Sequence, residues 1–140
     1  MSTEANREAI RREYVAWQDE VAPIADVFAP EMTWRIERRP VVAGDYANRQ
    51  EFIDRVLAPF GARFAAGERF RPVRVHAVCA DGDTVIVRWD GHGVANDGIA
   101  YDNSYAWFMT LRDGLVVDGT AYFDSIAFDE LWRRCDAAVR

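Results

Sequence analysis

Arg88 and Asp90 stand two residues apart in the run Val85-Ile86-Val87-Arg88-Trp89-Asp90-Gly91-His92. Neighbours of one parity on a strand face one way. Two opposite charges on a mid-sheet strand flanked by β-branched residues are costly to bury unless they pair, and perturbed pairs of this kind gather in active sites. Two readings follow, a structural ion pair that fixes the sheet or an acid/base pair. His92 shares the parity of Asp90 and titrates near neutrality, so it serves as a proton relay or as a surface histidine near the hairpin end. Asn103 and Tyr105 alternate on the neighbouring strand, either as donors to a substrate oxygen or as members of a hydrogen-bonded network within the sheet. His76, between Val75 and Ala77, reads as a core or interface histidine.

The rest of the alphabet narrows the chemistry. All 17 basic residues among the 140 are arginine; with no lysine, Schiff-base and pyridoxal-phosphate chemistry and a phosphate-loop lysine are excluded. The only serines are Ser2, Ser104 and Ser125, and none lies in a G-x-S-x-G elbow. Cys79 and Cys135 sit in apolar stretches and read as core thiols, and with two histidines and no ligand spacing a zinc site is not expected. We therefore expect no cofactor and no metal. A net charge of −6 with scattered arginines argues against nucleic acid. No apolar run reaches the roughly 18 residues that span a bilayer, and the charged opening MSTEANREAIRRE is unlike a secretory signal, so no membrane partner and a cytoplasmic location are expected.

The elements that must position these residues are legible as patterns. Ile10, Tyr14, Trp17 and Val21 are spaced 4, 3 and 4, one stripe of a helix running from Ala5 to Val21. A second short helix over Val21 to Pro30 starts at Pro23 and packs Ile24, Val27 and Phe28. Met32 to Ile36 alternates as a first strand. Asn48 precedes Glu51 by three residues, the capping-box spacing, and opens a helix with Phe52, Ile53, Val56, Leu57 and Phe60 inward, kinked or stopped at Pro59 and Gly61. Turns at Asp81-Gly82-Asp83, Asn96-Asp97-Gly98 and Arg112-Asp113-Gly114 separate four antiparallel strands at about 69–80, 83–95, 99–111 and 115–124. A last helix, capped by Asp124, takes Phe128, Leu131, Trp132 and Cys135 inward. The order implies one α+β domain over 1–140 with helices on one face of a curved sheet. The opposite face is apolar enough that a homodimer through the sheet is expected.

Four stretches carry a family resemblance: Trp34 followed by Pro40 to Arg49, Tyr101-x-Asn103-x-Tyr105-x-Trp107-Phe108, Asp113-Gly114-Leu115-Val116, and Tyr122-Phe123-Asp124. With these the chain resembles the SnoaL-like branch of the nuclear-transport-factor-2-like superfamily, which also holds ketosteroid isomerases and limonene-epoxide hydrolases. The resemblance implies a cone-shaped α+β fold whose mostly antiparallel sheet wraps helices around a deep pocket for a small hydrophobic molecule. It places Tyr14 where ketosteroid isomerases hold an oxyanion-binding tyrosine. Their proton-shuttling aspartate corresponds to the region of Arg35 to Glu37, and their second oxyanion acid falls near Ala106. Epoxide hydrolases use an Arg-x-Asp pair, which Arg88-Trp89-Asp90 reproduces, while their last-strand aspartate is replaced by Thr120-Ala121. On this resemblance Arg88 and Asp90 point into the cone, Asp90 moving a proton and Arg88 setting its charge state. Tyr14, Asn103 or Tyr105 then holds an enolate oxygen.

Trp17, Trp34, Trp107, Phe108 and Phe123 form either core or an aromatic wall for a flat ligand. The function expected is that of a cofactor-independent acid/base isomerase, cyclase or dehydratase acting on a small hydrophobic carbonyl compound. Epoxide opening and a non-catalytic dimeric binding module are the alternatives.

Overall fold

The computed structural model describes residues 2–136. Helix α1, Thr3–Gln18, is opened by the Ser2 hydroxyl, which accepts from the Ala5 amide at 3.1 Å, satisfying one of the amides that a helix start leaves without a partner. Ile10 and Tyr14 are buried on its inner face. The helix stops three residues short of Val21, which is 77% exposed, so the stripe ends at Trp17. Pro23 then leads into a single tight 3₁₀ turn, Ile24–Val27, in place of the expected helix. Phe28 already belongs to the first strand, where it is paired with Val116, while the strict burial alternation begins at Met32.

Strand β1, Phe28–Ile36, is followed by a three-residue strand β2, Gly44–Tyr46, which the Pro/Gly-punctuated sequence did not announce. Asn48 caps α2, Arg49–Phe52: its side-chain oxygen accepts from the Glu51 amide at 2.8 Å, and the Glu51 carboxylate accepts from the Ala47 amide at 2.8 Å. The helical run continues through a wide π turn, Ile53–Leu57, into α3, Ala58–Gly61. Pro59, which lacks an N–H and crowds the carbonyl four residues back, accounts for the widened turn.

Four long strands follow: β3 (Arg71–Asp81), β4 (Thr84–Val94), β5 (Ala100–Arg112) and β6 (Leu115–Phe123). The β5–β6 connection is Asp113-Gly114, both with positive φ (52° and 80°), the geometry a two-residue hairpin turn demands. The six strands form one sheet in the order β2-β1-β6-β5-β4-β3, antiparallel throughout except for the β1–β6 pair. Helix α4, Ser125–Arg134, is capped by Asp124, whose carboxylate accepts from the Ile126 amide at 2.9 Å. Arg63, buried, lays its guanidinium 3.8 Å from the Trp132 ring centre and donates to the Pro59 carbonyl at 2.8 Å, tying α4 to the end of α3.

Glycines on the inner face of the sheet make room for large rings. A β-carbon on Gly91 would lie 2.1 Å from Phe70, and one on Gly119 would lie 2.1 Å from Trp34. The backbone is therefore bare where the rings approach it most closely.

Candidate functional site

Val85, Val87 and Trp89 are completely buried, so β4 turns its odd-numbered residues towards the helices. The alternation of the strand sends Arg88, Asp90 and His92 to the opposite, outer face. This corrects the expectation that Arg88 and Asp90 point into the cone. Three bulky apolar side chains of one parity outweigh two charges of the other, because a one-residue change of face would bury both charges and expose a tryptophan. The two charges do not pair with each other, and Arg88 forms no ion pair among the described residues. Asp90 is bonded instead to His76 Nε2 at 2.8 Å and to the Ser104 hydroxyl at 2.8 Å. These two hydrogen bonds, His76 first, hold its carboxyl below the usual carboxylate range. His76 reaches it from a bulge in β3, where the register slips between Val75 and Ala77. His92, also on the outer face, pairs with Asp102 through Nδ1 at 2.6 Å. Cys135 is buried as expected, whereas Cys79 is exposed: it lies opposite Ile86, on the outer face.

The inner face of the sheet, α1 and the run from Phe52 to Phe70 enclose a cavity of about 690 Å³, within the range of roughly 300–1,000 Å³ typical of small-molecule sites. Its wall is aromatic. Trp17, Trp34, Trp107 and Phe123, which the sequence left open between core and ligand wall, line it and also pack into the core, together with Trp89 and Phe70. Phe108, by contrast, is 40% exposed and packs edge-on against Tyr122 outside. The rings meet largely edge to face, Trp89 on Trp107 at 89° and Trp34 on Trp107 at 77°, which sets ring hydrogens against electron-rich π faces. The indole N–H groups of Trp34, Trp89 and Trp107 have no other partner among the described residues.

Tyr14 does not line this cavity. It is buried behind Trp17, Trp89 and Trp107, with no hydrogen-bond partner for its hydroxyl among the described residues, and borders a smaller cleft shared with Arg11, Gln18 and His76. Burial pushes its phenol well above the ordinary value, so it is neutral. The hydroxyl-bearing residue that lines the cavity from the sheet is Tyr105, stacked on Trp89 at 4.3 Å with 11° between the planes. Its hydroxyl lies 2.8 Å from that of Tyr101, and the Asn103 amide donates to the Tyr101 oxygen at 2.8 Å and to the Asp124 carbonyl at 3.0 Å. Asn103 itself is outside the cavity wall and acts through Tyr101. Burial pushes the Tyr101 phenol up to about 12, partly offset by the bonds from Tyr105 and Asn103. Burial likewise raises Tyr105 well above the ordinary phenol value, with its neighbour Tyr101 adding to the effect. Both therefore keep their protons at neutral pH. Ala121, opposite Trp107 on β6, supplies only a methyl group to the wall.

The sequence reasoning missed Trp89, Phe70, Tyr101 and Arg69. The parity of Val85, Val87 and Trp89 was the signal for the first; the loop residues Arg69 and Phe70 carried none. No described helix is long and apolar enough to cross a membrane, and no cluster of three potential metal ligands occurs among the described residues.

Comparison with known proteins agrees with the geometry. Bal32a, from a soil-derived mobile gene cassette, superposes with a TM-score of 0.73 at 26% identity, covering 94% of this chain and 98% of its own. A protein described as a SnoaL-like polyketide cyclase, from Jannaschia sp. CCS1, gives 0.69 at 19% identity over 99% and 95%. TerC, co-crystallised with polyporic acid, gives 0.66 at 23% identity over 91% and 97%. No curated protein matches the chain. The family model of the SnoaL-like domain matches residues 8–119, most of the six-stranded sheet and the helices before it, and the chain belongs to that family, with the NTF2-like fold.

Proposed function

We propose that the chain takes a flat, apolar, carbonyl-bearing molecule into the aromatic cavity and polarises its carbonyl through Tyr105, in the manner of a cofactor-independent isomerase or cyclase. The observation that carries this reading is the hydrogen-bonded chain Asn103, Tyr101, Tyr105 ending at the cavity wall. The Asn103 amide donates to Tyr101, and either hydroxyl of the Tyr101–Tyr105 pair can donate to the other; a ligand oxygen beside Tyr105 selects the arrangement in which Tyr101 donates to Tyr105 and Tyr105 donates into the cavity. A fixed donor in an apolar site stabilises charge developing on an enolate oxygen and needs no reorganisation as the reaction proceeds. The ring walls hold the substrate in one pose, which favours intramolecular carbon–carbon bond formation or double-bond migration. The co-crystallisation of TerC with polyporic acid, and the description of the Jannaschia protein as a polyketide cyclase, support a small organic ligand in this fold.

One observation favours a second reading, binding without turnover: no carboxylate is present among the described cavity-lining residues, so the wall offers a proton donor and no evident base. Epoxide opening by Arg88 and Asp90 is not carried further, because both lie on the outer face.

Calorimetric titration with 2-acetylnaphthalene and 2-ethylnaphthalene tests the reading. The ketone is expected to bind about fivefold more tightly than the hydrocarbon, the worth of one net hydrogen bond, and Tyr105→Phe to remove the difference. Deuterium uptake from D₂O into the acetyl methyl group, lost in Tyr105→Phe, marks catalysis; tight binding without uptake marks the binding module. Equal affinities for ketone and hydrocarbon would sink the role of Tyr105.

The same proposal takes two copies to pair through the outer sheet face. Phe108 and Tyr122, exposed and packed on each other, form its apolar centre beside Ile86 and Ala106. Arg88, Arg35 and Asp118 supply charges of both signs around it.

A further inference from the structure

Arg69 is the one charged residue among the described residues of the cavity wall, all others being aromatic, aliphatic, alanine, glycine or proline. It is exposed, so it stands at the mouth. No carboxylate or other acceptor among the described residues engages its guanidinium. The position is built rather than incidental. The Glu68 carbonyl accepts from the Val94 amide at 3.0 Å, and the Ala65 amide donates to the Val94 carbonyl at 2.9 Å, fixing the loop to the end of β4. Gly67 allows the turn with φ at 82°. Phe70, the next residue, is seated over Gly91 and packs against Trp17, Trp89 and Tyr105. The Arg69 backbone is thus held on both sides, and only its side-chain rotamers remain to place the charge.

We infer that the preferred ligand of this cavity is an aromatic acid, a flat apolar body ending in a carboxylate that docks on Arg69 at the mouth; this rests on the cavity being the ligand site proposed above. Two physical arguments carry it. A neutral apolar ligand filling the mouth would strip water from the guanidinium and return nothing for it, whereas a carboxylate replaces that water with paired, fork-shaped hydrogen bonds. A protein with a net charge of −6 repels anions at long range, but salt screens that repulsion beyond about 10 Å, and the described residues of the wall include no carboxylate to oppose a bound anion. Seating the acid at Arg69 also sets the polarity of the ligand, its far end entering first, towards the sheet and Tyr105.

The test is calorimetric titration of the full chain with 6-acetyl-2-naphthoate and with its methyl ester, which share body and ketone and differ in charge. The acid is expected to bind about tenfold more tightly than the ester, the worth of a charge-assisted bond at a partly exposed site, with the gap narrowing as salt is raised. Arg69→Gln is expected to weaken the acid by about that factor and to leave the ester within about twofold. Equal affinities in the parent protein, or equal losses for acid and ester in the variant, overturn the inference while leaving the aromatic cavity as a ligand site. Failure of both compounds to bind overturns both.

Discussion

Asp90 illustrates how a residue type attracts a role that its position denies. A carboxylate between an imidazole and a hydroxyl has the parts of a proton-transfer site, but it stands on the outer face of the sheet, bonded to His76 and Ser104. Its role there is a small electrostatic contribution to stability. The folded carboxyl is held below its unfolded value, so the contribution is present above the ordinary carboxylate value and is lost as pH falls through the lower, folded value. Asp90→Asn is therefore expected to cost up to about 1 kcal/mol at neutral pH, discounted for exposure, with parent and variant converging in acid; denaturant titration at several pH values reads it. Aromatic ketone binding is expected to be unchanged. The Arg-x-Asp match directed attention to the wrong parity because spacing carries no information about which face is inside. That information lay in Val85, Val87 and Trp89.

Among the elements, the hairpins and caps were legible because their chemistry is local. Asp113-Gly114, Asn48 with Glu51, and Asp124 each form hydrogen bonds or turns within a few residues, and each occupies its expected place. Strand β2 and the π turn before Pro59 were not legible, since the first is three residues long and exists through pairing with β1, and the second depends on where the helix must point. The inner-face glycines belong to the same class of tertiary signal. Gly119→Ala is expected to force Trp34 to move and to cost about 1–3 kcal/mol, the range for overpacking a core, together with weaker binding of 2-acetylnaphthalene. Gly61→Ala, with open space at the β-carbon, is expected to stay within about 1 kcal/mol of the parent. Thermal or denaturant unfolding of the pair distinguishes a steric cause from a general intolerance of alanine.

At the scale of the molecule, the α+β layout could be read from the order of patterns, whereas the cavity's contents could not. The wall draws on α1, the 3₁₀ turn after it, the run from α2 to α3, four strands, α4 and the loop before β3, and Arg69 and Phe70 reach it only through the closed fold. The outer face yields the last expectation: sedimentation at micromolar concentration should give twice the chain mass, and Phe108→Glu should return the monomer by placing a charge at the centre of the apolar patch. The edges of the sheet limit how copies associate. One edge is β2, only three residues long; the other is β3, whose Pro72 offers no N–H and whose ladder is broken at two bulges. Neither presents a straight row of free peptide groups on which another chain could extend the ladder. Strand-by-strand fibre growth is thereby blocked at both ends, and association between copies is left to the broad surface of the sheet.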